Sequence, residues 1–314
     1  MPYSIRTFAA IALGAALLPG ALRAEDAPVA PPTTAEVIEH SQPGDWRQPD
    51  PDNTLYLDLA GGRVVIELAA QIAPKHAANI RTLARQHYWD GLAILRSQDN
   101  YVVQWGDPNA GEDAAKAFGE AEKKLPAEFT HASEGLRFTT LPEVDPYAPQ
   151  AGWVDGFPAA RDPATKQTWL AHCYAAVGAG RDMAADSSNG AELYVVIGHA
   201  PRHLDRNITL VGRVLQGMEL LSVLPRGKGP LGFYETAAER VPIKAITLAS
   251  DVPAAQRVAL EVFRTDTPAF ERLVEARRNR REDWFIDPVG KIELCNVPIP
   301  VRHVTHEVAT PPKG

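Results

Sequence analysis

Residues 93–108 read AILRSQDNYVVQWGDP, two short apolar runs at 93–96 and 101–105 separated by the polar residues SQDN. Apolar runs of four or five residues, bounded by polar turn residues, predict β-strands. The same stretch carries two of the most informative polar side chains of the chain, Arg96 and Gln104. We therefore start from these two strands and work outward.

Strand patterns recur on both sides of this stretch. They occupy residues 55–59, 64–68, 169–177, 192–197, 208–214 and 244–248. A helix is predicted from Pro74, because Ala77, Ile80 and Leu83 follow at the spacing of one buried helical face, and a short second helix is predicted at 217–224. Many short strands with two isolated helices predict a mainly β fold, an antiparallel barrel or sandwich, and argue against βαβ units.

The two ends of the chain differ from this β region in composition. Arg6 followed by the apolar residues 8–18 and the small residue Ala24 has the pattern of a secretory signal peptide, predicted at 1–24. The prolines that follow predict an extended linker over residues 25–52. Beyond Pro253 the chain is charged and amphipathic, so a C-terminal helix from Pro268 and a tail are predicted within residues 252–314.

The signal pattern predicts a periplasmic or otherwise extracytoplasmic protein that is soluble, with no membrane insertion once the signal is removed. A formal net charge of -7 argues against nucleic acid as the main partner, because phosphate binding needs a clustered positive surface. In an oxidising compartment Cys173 and Cys295 could form a disulfide; the alternative is two separately buried thiols. No metal site is predicted from the scattered histidines.

Three ordered motifs resemble those of the cyclophilins. Residues 93–108 resemble the family's active-site strands, in which an Arg is followed five residues later by an aromatic residue and then, three later, by Gln. The turn YWDG at 88–91 is similar to the family's tyrosine-aspartate-glycine turn. Residues 188–196, SNGAELYVV, resemble the strand that carries the second aromatic residue of a proline pocket, here Tyr194.

The resemblance spans residues 53–251, with a large insertion at about 111–168. It implies a closed antiparallel eight-stranded barrel capped by two helices, with the C-terminal helix as an extension. It also implies peptidyl-prolyl cis-trans isomerase activity on proline-containing segments of exported proteins, without a cofactor. The barrier to rotation of a peptide bond is about 18–20 kcal/mol, and a guanidinium that binds the prolyl nitrogen as resonance fades would lower it.

The resemblance implies a role for individual residues of this chain. Arg96 would polarise the prolyl nitrogen, and Gln104 would position the peptide. The implied substrate-binding residues are Tyr101, Val102, Val177, Gly178, Ala179, Tyr194, His203, Leu204 and Ile208. Of these, Tyr101 and Tyr194 would hold the proline ring, and residues 177–179 would form the backbone edge on which the substrate docks.

The chain departs from the family pattern at five positions: Tyr101 and Tyr194 replace the two Phe that many members have, His203 replaces a Trp, Ile208 a His and Glu192 a Gln. These departures predict reduced or altered substrate preference. They also leave open a second hypothesis, a catalytically weak or inactive module that holds proline-containing segments. A third hypothesis makes the insertion and the C-terminal helix a docking surface for one dedicated partner.

Overall fold

The computed structural model describes residues 31–304, so the predicted signal peptide at 1–24 lies outside the described residues. The helices are α1 Thr34–Glu39, α2 Pro74–Arg85, α3 Met218–Ser222 and α4 Pro268–Arg278. The first eight strands are β1 Trp46–Arg47, β2 Thr54–Leu59, β3 Gly62–Leu68, β4 Ala93–Ser97, β5 Val102–Gly106, β6 His131–Ala132, β7 Phe138–Thr140 and β8 Gln150–Val154. The others are β9 Phe157–Asp162, β10 Gln167–Leu170, β11 Ala176–Ala179, β12 Leu193–Val196, β13 Leu210–Gln216, β14 Val241–Pro242, β15 Ala245–Leu248, β16 Leu260–Phe263 and β17 Val301–His303. The mainly β fold and the helices predicted from Pro74, within 217–224 and from Pro268 are confirmed.

Nine strands form one antiparallel sheet in the order β14-β4-β5-β12-β11-β13-β3-β2-β15. Its inner face buries an apolar core on which α2 and α3 pack through residues such as Ile80 and Leu221, both 0 % exposed. The two helices begin where expected, α2 with Pro74 in its first turn and α3 after Gly217, whose φ of 94° permits the entry turn.

The sheet is not the closed eight-stranded barrel that the resemblance implied. Its edge strands β14 and β15 have no ladder between them, yet they are consecutive in the chain and are separated only by Ile243 and Lys244. Lys244 N–H donates to Asp58 on the β2 side, and Ile243 N–H donates to Leu92 next to β4. The sheet therefore curls until one short connection joins its two edges, but the hydrogen-bonded ring stays open.

The predicted insertion contains most of a second, five-stranded sheet, in the order β6-β10-β9-β8-β7. The abundance of Gly, Pro and acidic residues over 107–167 predicts mostly loops, whereas strands β6 to β9 lie in this segment. The small residues instead permit close packing: a Cβ on Gly152 would lie 2.0 Å from the carbonyl oxygen of Thr139 on the neighbouring strand.

The strand predicted over residues 169–177 is wrong as a single element. Its first part is the end of β10 in the five-stranded sheet, and its last part is the start of β11 in the nine-stranded sheet. Ala175 between them has a φ of 70°, in the left-handed region that an extended strand does not use. The chain crosses from one sheet to the other at this turn.

The chain ends build a second apolar core outside the nine-stranded sheet. Part of the predicted linker is ordered, since α1 packs on α4 and β1 pairs with β16 in a three-stranded sheet, β1-β16-β17. Thr33 caps α1 in a capping box with Glu36, which explains why a helix forms in a segment that follows prolines. Phe263 and Phe270 from the C-terminal region meet Trp153 of the insertion in this core.

A disulfide joins Cys173 and Cys295, with Cα atoms 5.0 Å apart, so the alternative of two separate thiols does not apply in this structure. It connects the turn after β10 to the segment that precedes β17. No helix within residues 31–304 has the length and apolarity needed to cross a bilayer.

Candidate functional site

Five adjacent strands of the nine-stranded sheet contribute one residue each to a row across its outer face, which we call the outer row. The register pairs Arg96 of β4 with Gln104 of β5, Gln104 with Tyr194 of β12, Tyr194 with Gly178 of β11, and Gly178 with Leu210 of β13. Neighbouring strands lie about 4.8 Å apart, so each member of the row can contact the next. The sheet thus brings together residues that are far apart in the sequence.

A register irregularity in β4 directs the Arg96 side chain to the outer face. Ile94 pairs with Trp105 and is fully buried in the inner core, whereas Arg96 pairs with Gln104. In a regular strand, residues i and i+2 point to the same face. The irregularity between Ile94 and Arg96 therefore turns the guanidinium outward, as β-bulges do beside many active sites.

Three oxygen atoms hold the Arg96 guanidinium. Nε–H donates to the carbonyl oxygen of Leu231 at 2.6 Å, an Nη1–H donates to Gln104 Oε1 at 2.9 Å, and an Nη2–H donates to Gln98 Oε1. Since a guanidinium has five N–H donors, two of them have no protein acceptor within the part of the chain that the structure describes. These two N–H groups are the ones that could bind a ligand.

The Arg96 guanidinium is partly buried and lies beside two aromatic rings. The Arg96 Cζ lies 5.5 Å from the ring centroid of Tyr101 and 5.4 Å from that of Phe233, both half-buried rings. Burial lowers the pKa of Arg96, but an arginine side chain stays protonated in proteins. A partly dehydrated guanidinium between apolar surfaces donates stronger hydrogen bonds than one in water.

The Gln104 amide links Arg96 to a carboxylate. Its Oε1 accepts from Arg96, and its Nε2 donates to Glu192 Oε1. Two glycines leave room for this carboxyl group, because a Cβ on Gly106 would lie 3.1 Å from Glu192 Cγ and one on Gly180 would lie 3.3 Å from Glu192 Cδ. Burial raises the pKa of Glu192 above its ordinary value, and the Gln104 hydrogen bond opposes that shift. A cation on one side and a carboxylate on the other thus determine which way the amide points.

Tyr194 belongs to a buried polar network that the sequence did not predict. Its hydroxyl contacts His172 Nε2 at 2.8 Å, and His172 Nδ1 contacts Asp205 Oδ1 at 2.8 Å. Arg202 Nε donates to the other Asp205 oxygen at 2.6 Å, and both Nη groups of Arg202 donate to Asp145. Burial raises the pKa of Tyr194 well above its ordinary value, so the hydroxyl remains protonated and the ring is held at one end.

Gly178 is required beside Tyr194. A Cβ on Gly178 would lie 2.2 Å from both Cζ and Oη of Tyr194, so the ring lies directly over the glycine. The Tyr194 ring therefore extends over β11 towards His172. Its remaining contacts are with the apolar residues of the outer cluster. Tyr194 itself is only 5 % exposed.

The other predicted binding residues lie in three different environments. Val102 and Ile208 join Tyr101 and Tyr194 in one apolar cluster on the outer face. Leu204 is half-buried in a short turn, whereas His203 beside it faces solvent.

The predicted docking edge at residues 177–179 is not an edge in this structure. Strand β11 is paired on one side with β12 and on the other with β13, so its backbone groups are already hydrogen-bonded. Val177 and Ala179, both 0 % exposed, point into the inner core. Of the three residues, only Gly178 lies on the outer face, because side-chain direction alternates along a strand.

Several residues of the site were not predicted, namely Gln98, Leu231, Phe233, His172 and Asp205. Gln98 lies two residues after Arg96, and this short spacing was the one available signal. Phe233 forms a β-bridge with Arg96 across more than a hundred residues of sequence, and no local pattern indicates such a contact. Residues 31–304 contain no group of three His, Cys, Asp or Glu side chains arranged to hold a metal ion.

Comparison with known proteins agrees with the geometry of the site. The family model described as "Cyclophilin type peptidyl-prolyl cis-trans isomerase/CLD" matches residues 54–248, more than half of the chain. A "Probable peptidyl-prolyl cis-trans isomerase" of Brucella suis biovar 1 is 27% identical over 185 residues, which is 57% of this chain and 74% of the relative. The human "Peptidyl-prolyl cis-trans isomerase-like 1" is 24% identical over 214 residues, 67% of this chain and 96% of the relative.

One solved structure resembles a larger part of the chain. The crystal structure of cyclophilin AquaCyp293 from Hirschia baltica superimposes with a TM-score of 0.63 and 25% identity, over 84% of this chain and 96% of that chain. This likeness covers more of the chain than residues 54–248 do, so it includes part of the structure outside the family match.

Proposed function

The chain belongs to the cyclophilin-type peptidyl-prolyl cis-trans isomerases, and on that premise we propose that Arg96 and Gln104 catalyse rotation about X-Pro bonds at the β4 end of the outer row. The observation that carries the proposal is the Arg96 guanidinium, which lies beside the apolar cluster that contains Tyr101 and Val102 and has two N–H donors without an acceptor in residues 31–304. Catalysis of this rotation needs a positioned cation and an apolar surface, not a nucleophile.

The chemistry follows from the electronic structure of the imide. Its nitrogen shares a lone pair with the carbonyl group in the planar state and recovers that lone pair as the bond twists. A free N–H of Arg96 binds the recovered lone pair, so this hydrogen bond is stronger in the twisted state than in either planar state. Only such differential binding raises the rate.

Each neighbouring group has a part in this mechanism. The apolar cluster around Tyr101 and Val102 binds the proline ring. Gln104 binds the adjacent peptide group through the Oε1 lone pair and the Nε2–H that are not bonded to Arg96 and Glu192. Tyr194 packs in the same cluster, and its ring is held in place because its hydroxyl contacts His172 and the ring lies over Gly178. Ile208 belongs to the same cluster, whereas Leu204 and the exposed His203 contact only the flanking part of a bound peptide.

Replacement of Arg96 tests the catalytic proposal. We expect Arg96→Ala to lower kcat/KM for an Ala-Pro tetrapeptide by about 10²–10³-fold, the usual effect of removing one preorganised donor. Arg96→Lys restores part of the rate, since lysine supplies charge without the planar fork. Peptide affinity, measured by calorimetry, changes only a few fold.

Arg63→Ala is the matched control, because Arg63 also lies over a tyrosine ring, that of Tyr56, with its Cζ 4.5 Å from the centroid, but outside the site. Its rate is expected to equal that of the wild type. Equal rates for Arg96→Ala and the wild type would refute the catalytic proposal. Absence of isomerase activity in both, with peptide binding retained, would support the module that only holds proline-containing segments.

The cellular part of the proposal is that the isomerase acts on proline-containing segments of exported proteins. It is supported by the signal-like pattern at 1–24 and by the Cys173–Cys295 disulfide, since disulfides persist mainly in oxidising compartments. Expressed from its full sequence in a Gram-negative bacterium, the mature chain is expected in the periplasmic fraction, beginning near Glu25. Recovery in the cytosol with Met1 retained would contradict this.

A further inference from the structure

A cavity of about 590 Å³ is lined in part by Phe157, Leu170 and Leu210 of the outer apolar cluster, and Arg96 is not among its lining residues. Strands β9, β10 and β13 form one wall, and the segment before β17 forms the other. Most of its lining is apolar, including Phe157, Leu170, Val214, Leu294, Val297 and Ile299. A volume between 300 and 1,000 Å³ is about that of a pocket for a small organic ligand.

One wall of this cavity holds a buried guanidinium that makes no hydrogen bond to the described part of the chain. The Arg213 side chain is 10% exposed, and its Nε and Nη2 atoms are enclosed without an acceptor among the described residues. The nearest carboxylate atom, Glu67 Oε2, is 3.8 Å from Arg213 Nε. Both oxygens of Glu67 instead accept from Arg47, at 2.5 and 3.0 Å. Arg213 therefore has a charged neighbour but no hydrogen-bond partner.

A second arginine reaches the same cavity from the C-terminal region. Arg277 lies in the last turn of α4, lines the cavity, and has a buried Nε with no acceptor within residues 31–304. Burial lowers the pKa of Arg277, and burial lowers that of Arg213 to about 10. Both side chains are cations at neutral pH, and the enclosed Nε and Nη2 of Arg213 and the enclosed Nε of Arg277 have no acceptor among the described residues.

Two guanidiniums line this apolar cavity, and their enclosed, unpaired N–H groups indicate the class of ligand. Buried N–H groups of a cation are normally all paired, because an unpaired one loses its hydration without compensation. A carboxylate or phosphate group matches the planar fork of arginine. A small hydrated anion would leave the apolar lining uncovered, whereas an acyl chain would cover it. Glu67 and Asp155 near Arg213 are opposed by Arg47, so they do not exclude an anion.

We propose that this cavity binds an anionic amphiphile, with a carboxylate or phosphate head group on Arg213 and Arg277 and an acyl chain along the apolar lining. Arg96, Gln104 and Tyr101 do not line the cavity, so the site is separate from the one proposed for isomerisation. The disulfide forms part of its wall, because both Cys173 and Cys295 line it. The cavity therefore depends on the C-terminal segment, which the family match at 54–248 does not include.

Calorimetric titration of the full chain with dodecanoate, dodecyl phosphate and dodecan-1-ol tests the proposal. We expect one molecule of at least one of the two anions to bind per chain, about tenfold or more tighter than the alcohol, because the alcohol offers no charge to the guanidiniums. The comparison of the two anions shows which head group is preferred. Arg277→Met is expected to weaken binding of the preferred anion by about tenfold, and Arg213→Met by as much or more.

Arg281→Met is the control, because Arg281 follows Arg277 closely in the chain, is exposed and does not line the cavity. It should bind like the wild type. If Arg213→Met does not fold, the comparison of anion binding by Arg277→Met and Arg281→Met is sufficient to test the proposal. Equal binding of the alcohol and both anions, equal loss in Arg277→Met and Arg281→Met, or no binding of either anion would overturn the proposal. Isomerase activity is measured in parallel, so failure of this site is distinguishable from failure of the catalytic site.

Discussion

At the scale of the residue, the site depends on the orientation of one amide. Gln104 Oε1 accepts from the Arg96 cation, and Gln104 Nε2 donates to the Glu192 carboxylate, so these two opposite charges determine the orientation of the amide. The departure from the family pattern at Glu192 supplies a charged acceptor for the Gln104 amide. A carboxylate accepts a stronger hydrogen bond than a neutral amide does.

We therefore expect isomerase activity to decline at mildly acidic pH. The pKa of Glu192 is raised by burial, so as pH falls this carboxyl protonates before an ordinary glutamate would. The protonated carboxyl can donate to Gln104 Oε1, which competes with Arg96 for that oxygen. Profiles of kcat/KM against pH for the wild type should fall on the acidic side, through the raised pKa of Glu192, and the profile of Glu192→Gln should lack that fall.

Glu239→Gln is a suitable control, since Glu239 lies at the surface and the pKa of its carboxyl is lowered, not raised, by hydrogen bonds from Thr236. Its activity profile should follow that of the wild type. Superimposable profiles for the wild type and Glu192→Gln would show that Glu192 does not position Gln104.

At the scale of the element, strands β11 and β12 fit together because Gly178 has no side chain. Tyr194 on β12 occupies the space above Gly178 on β11, and this contact sends the tyrosine hydroxyl towards His172. The irregularity in β4 acts in a similar way on Arg96. Both features adjust the direction of a side chain without changing the order of the strands.

Gly178→Ala should therefore displace the Tyr194 ring. The added Cβ would lie 2.2 Å from Tyr194 Cζ, and overpacking of this kind costs about 1–3 kcal/mol. Chemical denaturation should show that loss, and kcat/KM should fall because the surface under the proline ring moves. Gly61→Ala is the control, since its Cβ would meet Leu220 Cδ2 at an ordinary 3.5 Å. Equal stability of the two variants would contradict the packing argument.

At the scale of the whole molecule, the regions outside the family match form structure of their own. The second core combines α1, Trp153 of the insertion and Phe270 of α4, so segments from three parts of the chain bury one another. The likeness to the cyclophilin from Hirschia baltica, over 84% of this chain, extends beyond residues 54–248. The third hypothesis, a docking surface on the insertion and C-terminal helix, thus concerns two regions that share a core.

The disulfide is expected to stabilise the part of the chain that forms this second core. It closes a loop with a sequence separation of 122 residues, for which chain entropy predicts about 4–5 kcal/mol. Measured values are commonly about 2–5 kcal/mol, so Cys173→Ala/Cys295→Ala should lower the free energy of urea unfolding by that amount. Reduced wild-type protein should match the variant. Unchanged stability in both would mean that the second core holds without the disulfide.

The sequence by itself determined the mainly β fold, the two helices on the inner core and the family, and it gave Arg96, Gln104, Tyr101 and Tyr194 as candidate site residues. These features depend on local periodicity and on ordered motifs, which a linear sequence records. The sequence also showed that Cys173 and Cys295 could pair, but it left the pairing open, because spacing says nothing about the distance between two Cα atoms.

Only the tertiary structure decided which groups contact these residues. Leu231 and Phe233 reach Arg96 from the connection between α3 and β14, and His172 reaches Tyr194 because the chain changes sheets at Ala175. The burial of residues 177–179 between two strands and the open ring of the nine-stranded sheet depend on strand register. The physical reason is that register and close packing are set by contacts between residues distant in sequence, where one small side chain, such as Gly178 or Gly152, determines how closely two strands approach.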